Sequence, residues 1–237
     1  MAKAQRRVAT RSARRQARKQ ERKEKQEGSV YAAVEFKPRT HAQKTALSVI
    51  AENHISFLLG SAGSGKTFLA MAYAINQVLT KQAAKIVLTR PIVEAGEKLG
   101  FLPGTFGEKV NPYMQPLYDT MEILLGKQGA KREVINKAVV LAPLCYMRGR
   151  TFHDAVCIFD EAQNATYAQL KLFLTRFGDN TKVIVTGDPR QSDLFTKDVA
   201  LMDVTNRLKN VAGIGAFEFA DSDVVRHPLI GKILSKL

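Results

Sequence analysis

The sequence predicts an α/β fold in which a mainly parallel β-sheet is covered by helices on both faces. Two observations carry that reading. Six short apolar runs, Ile55–Leu59, Ile86–Thr89, Ala138–Ala142, Ala155–Phe159, Val183–Thr186 and Ala216–Phe219, punctuate the chain. Amphipathic stretches of helical period, Thr67–Leu79, Ala165–Phe177 and Asp198–Val211, lie between several of them. Runs that are apolar throughout, instead of alternating with polar residues, belong to strands buried on both faces, and intervening helices make parallel connections the natural ones.

The first 28 residues stand apart. Met1–Glu27 holds eleven Lys and Arg against three Glu and few large apolar side chains, too few to offset the entropy of ordering. The expectation is a basic arm over residues 1–28, disordered alone, joined to one domain over 29–237. This arm supplies more than half of the formal net charge of +14, a balance that points to a polyanionic partner such as nucleic acid. No apolar run approaches the roughly 18 residues of a membrane span, and no secretory h-region is present. The arm is Arg-rich but poor in Ser, unlike an organellar transit peptide. Cys145 and Cys157 lack metal-ligand or redox spacing and read as packed, reduced thiols, so the expected location is cytoplasmic.

Thr40 and Gln43 introduce the first core helix. Gln43 fits a capping box, reaching back to the Thr40 N–H, and it equally fits a glutamine that reads an adenine edge.

The strand-like run Ile55–Leu59 leads into Gly60–Ser61–Ala62–Gly63–Ser64–Gly65–Lys66–Thr67, which matches G-x-x-x-x-G-K-[ST] and opens a helical pattern through Phe68. Glycines let the backbone curl until successive N–H groups face inward, forming an anion nest at a helix N-terminus. Lys66 then neutralises β- and γ-phosphates, and the Thr67 hydroxyl ligates Mg²⁺. Accident would produce the four specified positions in about one chain of this size in a hundred, and the strand–loop–helix context lowers that further. The expected ligand is therefore a nucleoside triphosphate with Mg²⁺.

Residues 96–107 are rich in Gly and Pro and read as the longest loop. Ala155–Phe159 ends in Asp160 and Glu161, which a parallel sheet carries to its C-terminal edge beside the phosphate loop. Asp160 is the expected Mg²⁺ partner, and Glu161 the acid that orients the attacking water. Val183–Thr186 leads similarly into Gly187–Asp188–Pro189–Arg190–Gln191, where Gln191 is a candidate γ-phosphate sensor. A bare Gly-Asp-Pro turn is common, so this element gains weight only from the other two.

Together these residues resemble the PhoH family, a single-domain ATPase group, and the core looks like the first RecA-like domain of superfamily 1 helicases. The resemblance covers Arg39 to Leu237. Its more specific elements are Arg90–Pro91, Gly100–Phe101–Leu102–Pro103–Gly104 and Met147–Arg148–Gly149–Arg150–Thr151, and it extends to Asp223–Val224–Val225–Arg226–His227. It implies a P-loop NTPase that binds and hydrolyses ATP, acts on RNA or single-stranded DNA, and assembles as a homo-oligomeric ring, with a hexamer favoured. On that resemblance Arg226 is the leading candidate for a catalytic arginine given across a subunit interface. Arg148 and Arg150 are the runners-up, and with Arg90 they are candidates for contacting nucleic acid. The expectation is a basic arm before the core and no room for a second RecA-like domain after it, and the second of these counts against autonomous helicase activity.

Three function classes fit these motifs. A nucleic-acid motor or remodeller is supported by Glu161 beside Asp160. A nucleotide-gated binding switch would hydrolyse slowly without translocating. A small-molecule kinase would need an Arg-rich lid, and none is evident.

Overall fold

A computed structural model describes residues 33–34, 36–91, 106–127, 129–191 and 200–224. Six strands form one sheet in the order β3-β2-β4-β5-β1-β6, and every pairing is parallel. The strands are β1 (Ile55–Leu59), β2 (Lys85–Thr89), β3 (Val139–Leu141), β4 (Ala155–Phe159), β5 (Lys182–Gly187) and β6 (Ile214–Glu218). The helices are α1 (His41–Glu52), α2 (Lys66–Leu79), α3 (Phe106–Leu125), α4 (Gly129–Ala138), α5 (Tyr167–Leu174) and α6 (Ala200–Leu208).

The period of two along a strand divides the core. Leu58, Ile86, Leu88, Ile158 and Ile184 point to one face, against Ile50 of α1, Leu69 and Ile75 of α2, Leu117 of α3 and Ile135 of α4. Phe57, Leu59, Val87, Phe159 and Val185 point to the other, against Leu170 and Phe173 of α5 and Leu201 and Val204 of α6. Helices therefore cover both faces, as the uninterrupted apolar runs require. The tilted Phe159 and Phe173 rings, centroids 4.9 Å apart, fasten α5 to β4.

Register positions the site. Leu59 lies opposite both Gly187 and Glu218, Phe159 opposite Val185, and Thr89 opposite Phe159. The C-terminal ends of β1, β2, β4, β5 and β6 therefore share one edge, and the segments that leave them emerge side by side. The order also inserts β5 between the strand that feeds the phosphate loop and the strand that ends in the acidic pair.

Element bounds differ from the sequence reading at several ends. The amphipathic stretch from Ala165 begins its helix only at Tyr167, because Thr166 forms a capping box with Gln169. The last strand starts at Ile214, two residues before the apolar run, because Gly215 packs where any side chain would meet Asn53 and Val49. The Gly/Pro-rich stretch already turns helical at Phe106, where α3 begins; residues 92–105 lie outside the described set. The basic arm, residues 1–28, lies outside it too. Among the described residues no helix is long and apolar enough to cross a membrane.

Candidate phosphate-binding site

The loop between β1 and α2 is built by its glycines and by what surrounds them. Gly60, Gly63 and Gly65 have φ of 132°, 91° and 91°, which L side chains seldom adopt. Gly60 is also sterically full, and Gly65 is crowded by one side-chain tip. A Cβ on Gly60 would stand 2.9 Å from the Phe219 Cβ and carbonyl oxygen, and one on Gly65 3.1 Å from Gln43 Nε2.

Lys66, the first residue of α2, is buried. Its Nζ donates to the Gly60 carbonyl at 2.6 Å, the Ser61 carbonyl at 2.9 Å and Ser64 Oγ at 3.4 Å. The loop thus wraps an ammonium that a phosphate oxygen would attract by charge. Thr67, one residue on, donates its hydroxyl to Asp160 Oδ1 at 2.7 Å. Thr186 of β5 donates to the same oxygen at 2.6 Å. Asp160 is 3% exposed, and its Oδ2 accepts no hydrogen bond among the described residues. The Phe68 ring packs 5.4 Å from that of Phe36.

An oxygen-only pair, the Thr67 hydroxyl and the Asp160 carboxylate, suits a hard cation that takes one or two protein ligands beside substrate phosphates and water. Among the described residues no group of three or more His, Cys, Asp or Glu forms an all-protein metal cage. The Thr67–Asp160 donor pair fits Mg²⁺.

Glu161 follows with φ 53°, a left-handed conformation that costs a non-glycine residue about 1–2 kcal/mol. Its Oε2 accepts from Gln163 Nε2 at 2.5 Å, and its Oε1 lies 3.3 Å from an Arg90 guanidinium nitrogen. Gln163 in turn accepts from the Asp188 N–H at 3.0 Å, which joins the β4 and β5 tips. Asp188 is buried; its Oδ2 accepts from the Ala62 N–H of the phosphate loop and its Oδ1 from the Arg190 N–H. Asp221, beyond β6, accepts from Ser61 Oγ at 2.8 Å and from Arg190 at 2.7 and 2.9 Å. The Arg190 hydrogen bond first, then that of Ser61, holds the Asp221 carboxyl below its ordinary value.

Gln191 stands at the β5 tip, its N–H donating to the Asp188 carbonyl. The Gln191 side chain is exposed and makes no hydrogen bond among the described residues. Arg148 and Arg150 are exposed; Arg150 lies 4.9 Å over the Phe152 ring, near the start of β4 and so toward the opposite end of that strand. Arg226 lies outside the described residues. Gln43 departs from the simple capping box. The Thr40 hydroxyl does accept from the Gln43 N–H, but Gln43 Oε1 accepts from the Arg39 N–H, one residue earlier than expected. Gln43 Nε2 meanwhile donates to the Ser64 carbonyl at 3.4 Å, so this glutamine braces the phosphate loop.

Sequence reasoning did not single out Thr186, Gln163 or Asp221. A threonine closing a buried strand beside Gly187 was a usable signal for the first, since an interior hydroxyl must find a partner. Asp221 meets Ser61 from 160 residues away, and no local pattern announces that contact.

The chain is similar to known proteins over most of its length. A family model described as "PhoH-like protein" matches residues 35–237. A PhoH-like protein of Bacillus subtilis (strain 168) is 47% identical over 198 residues, covering 83% of this chain and 62% of the relative. One of Mycobacterium leprae (strain TN) is 46% identical over 199 residues, covering 84% of this chain and 57% of the relative. The chain thus spans less than two thirds of either relative. Among solved structures, the large terminase of a thermophilic bacteriophage is similar in fold, with a TM-score of 0.56 and 12% identity over 84% of this chain and 50% of that one. The phosphate loop, the acidic strand end and the matched span lead to one assignment: the chain belongs to the family of PhoH-like proteins.

Proposed function

We propose that this chain is an ATPase that binds ATP with Mg²⁺ at Gly60–Phe68 and works on RNA or single-stranded DNA as an oligomeric motor or remodeller. The observation that carries the reading is the meeting of Lys66, Thr67 and Asp160 at one sheet edge, with Glu161 next in the chain. In this reading the loop N–H groups and Lys66 bind the phosphates, and Thr67 and Asp160 hold Mg²⁺. The ion, when bound, supplies charge neutralisation on the β- and γ-phosphates. Glu161 accepts a proton from, and orients, the attacking water. Residues 1–28 serve as a basic arm on a single ATPase domain, 29–237, and add affinity for a polyanion.

The test is ATP turnover with and without poly(U) RNA and poly(dT) DNA, each at two salt concentrations. Stimulated turnover that weakens as salt rises supports the reading, and no turnover under any of these conditions ends it. A second reading, a nucleotide-gated binding switch that hydrolyses slowly, draws on Glu161 being held by Arg90 and Gln163. Polymer binding that depends on ATP, without unwinding or movement, favours that alternative.

A further inference from the structure

Both carboxylate oxygens of Glu161 are held by neighbouring side chains. Gln163, on the same turn, holds Oε2, and its own amide oxygen is fixed by the Asp188 N–H. Arg90 comes from a different strand: it is the first residue after β2, whose last residue pairs with the last of β4. The two holds differ in kind. The Gln163 bond is short and internal to the acidic turn. The Arg90 contact is a single approach at 3.3 Å between side chains 24% and 38% exposed.

An arginine in that position is contestable. Its planar fork matches a phosphate better than it is used by one carboxylate oxygen, and Arg–phosphate pairing is commonly bidentate. Solvent reaches both partners, so a phosphodiester at the sheet edge can reach the guanidinium as well. Glu161 would then keep only the Gln163 hold and be free to turn toward a water at the γ-phosphate.

Resting on the ATPase reading above, we propose that Arg90 is a positioning residue that couples nucleic-acid binding to hydrolysis. It restrains Glu161 until a backbone phosphate of RNA or single-stranded DNA takes its guanidinium. An ion pair this exposed restrains only weakly, so the coupling is a few-fold effect and not an on–off gate.

Steady-state ATP turnover of the full chain should be compared for wild type, Arg90→Ala, Arg90→Gln and Arg90→Lys, with and without poly(U) or poly(dT). Arg90→Gln keeps the packing if Arg90→Ala folds poorly. The neutral variants should show a basal kcat about two- to fivefold above wild type, an unchanged KM for ATP, and little further stimulation by either polymer. Arg90→Lys, which keeps the charge but not the fork, should recover part of the restraint and part of the stimulation. Whichever polymer stimulates wild type identifies the source of the phosphate. A neutral variant with basal kcat at or below wild type, or stimulated to the wild-type extent, overturns the coupling, as does wild-type turnover that neither polymer changes. Wild type without any turnover overturns the ATPase reading itself.

Discussion

Thr186 and Asp160 sit on neighbouring strands, and the Thr186 hydroxyl donates to Asp160 Oδ1 at 2.6 Å. The sheet order gives the bond its meaning. β5 separates the phosphate-loop strand from the acidic strand, so Thr67 must be aligned with a carboxylate two strands away. Thr186, on the strand between, fixes that carboxylate from the side while Thr67 reaches the same oxygen.

Thr186→Val keeps the shape and removes the donor. With Thr186 fully buried, the loss should be about 1–3 kcal/mol, read from the urea midpoint. The Mg²⁺ concentration for half-maximal ATP turnover should also rise. An unchanged Mg²⁺ dependence would leave Thr186 as a packing residue only.

Lys66→Ala and Glu161→Gln separate binding from chemistry. The first removes the buried ammonium of the phosphate loop and should abolish turnover. The second keeps the size and a hydrogen-bonding amide, so MgATP binding should persist while hydrolysis falls by at least about a hundredfold. Calorimetric titration beside a phosphate-release assay reads both, and near wild-type turnover in Glu161→Gln would sink the water-positioning role.

Cys157 lies within β4, and burial pushes its thiol up to about 12. A thiol raised in the folded state stabilises fully below the ordinary cysteine range and loses that contribution as pH climbs toward the raised value. At pH 8 the native protein should therefore leave Cys157 unlabelled by a thiol-specific disulfide reagent, and urea should expose it. Mass spectrometry of the β4 peptide provides the check, and rapid native labelling would contradict this burial. The companion sequence expectation, that Cys145 is also packed, concerns a side chain outside those described.

Deleting residues 1–27 tests the basic arm. Each Lys or Arg that contacts a phosphate releases counterions, so the truncated chain should bind poly(U) more weakly and with a flatter dependence of log affinity on log salt. Fluorescence anisotropy at several salt concentrations measures the slope. A slope identical to that of the full chain would remove the arm from the binding surface.

The proposed ring makes a mixing prediction. If Arg226 acts on a neighbour's γ-phosphate, Arg226→Ala and Lys66→Ala proteins should each be inactive alone yet regain turnover when combined, because some interfaces join an intact pocket to an intact arginine. Sizing in solution should show an oligomer. A monomer with full specific activity would end the proposal.

Much of the fold was legible because the central parallel strands β1 and β4 are buried along their whole length and so are almost entirely apolar. Each of the six runs contains or overlaps a strand, and Asp160 and Glu161 could be placed at the C-terminal edge from their position in the run alone. The long helix α3 was not legible, since Pro112 and Pro116 lie within it and read locally as breakers. Nor was α4, where only Ile135 and Ala138 are buried and the apolar stripe is too thin to show a helical period. At the site, local spacing revealed the phosphate loop but not the contacts that brace it. Gln43 against Ser64, Ser61 against Asp221 and Arg90 against Glu161 join residues that only the folded sheet brings together.

The two crowded glycines limit how far the phosphate loop can be treated as a portable cassette. Gly60 is pressed against Phe219 and Gly65 against Gln43, so neither position answers to a nucleotide alone. Grafted onto another strand–helix junction, the same eight residues would meet different neighbours. In this fold Phe219, the residue after β6, closes over the first glycine, and the Gln43 amide tip stands beside the third. A graft that carries the equivalents of Gln43 and Phe219 keeps the walls that reserve both positions for glycine, whereas the octapeptide alone leaves those walls behind.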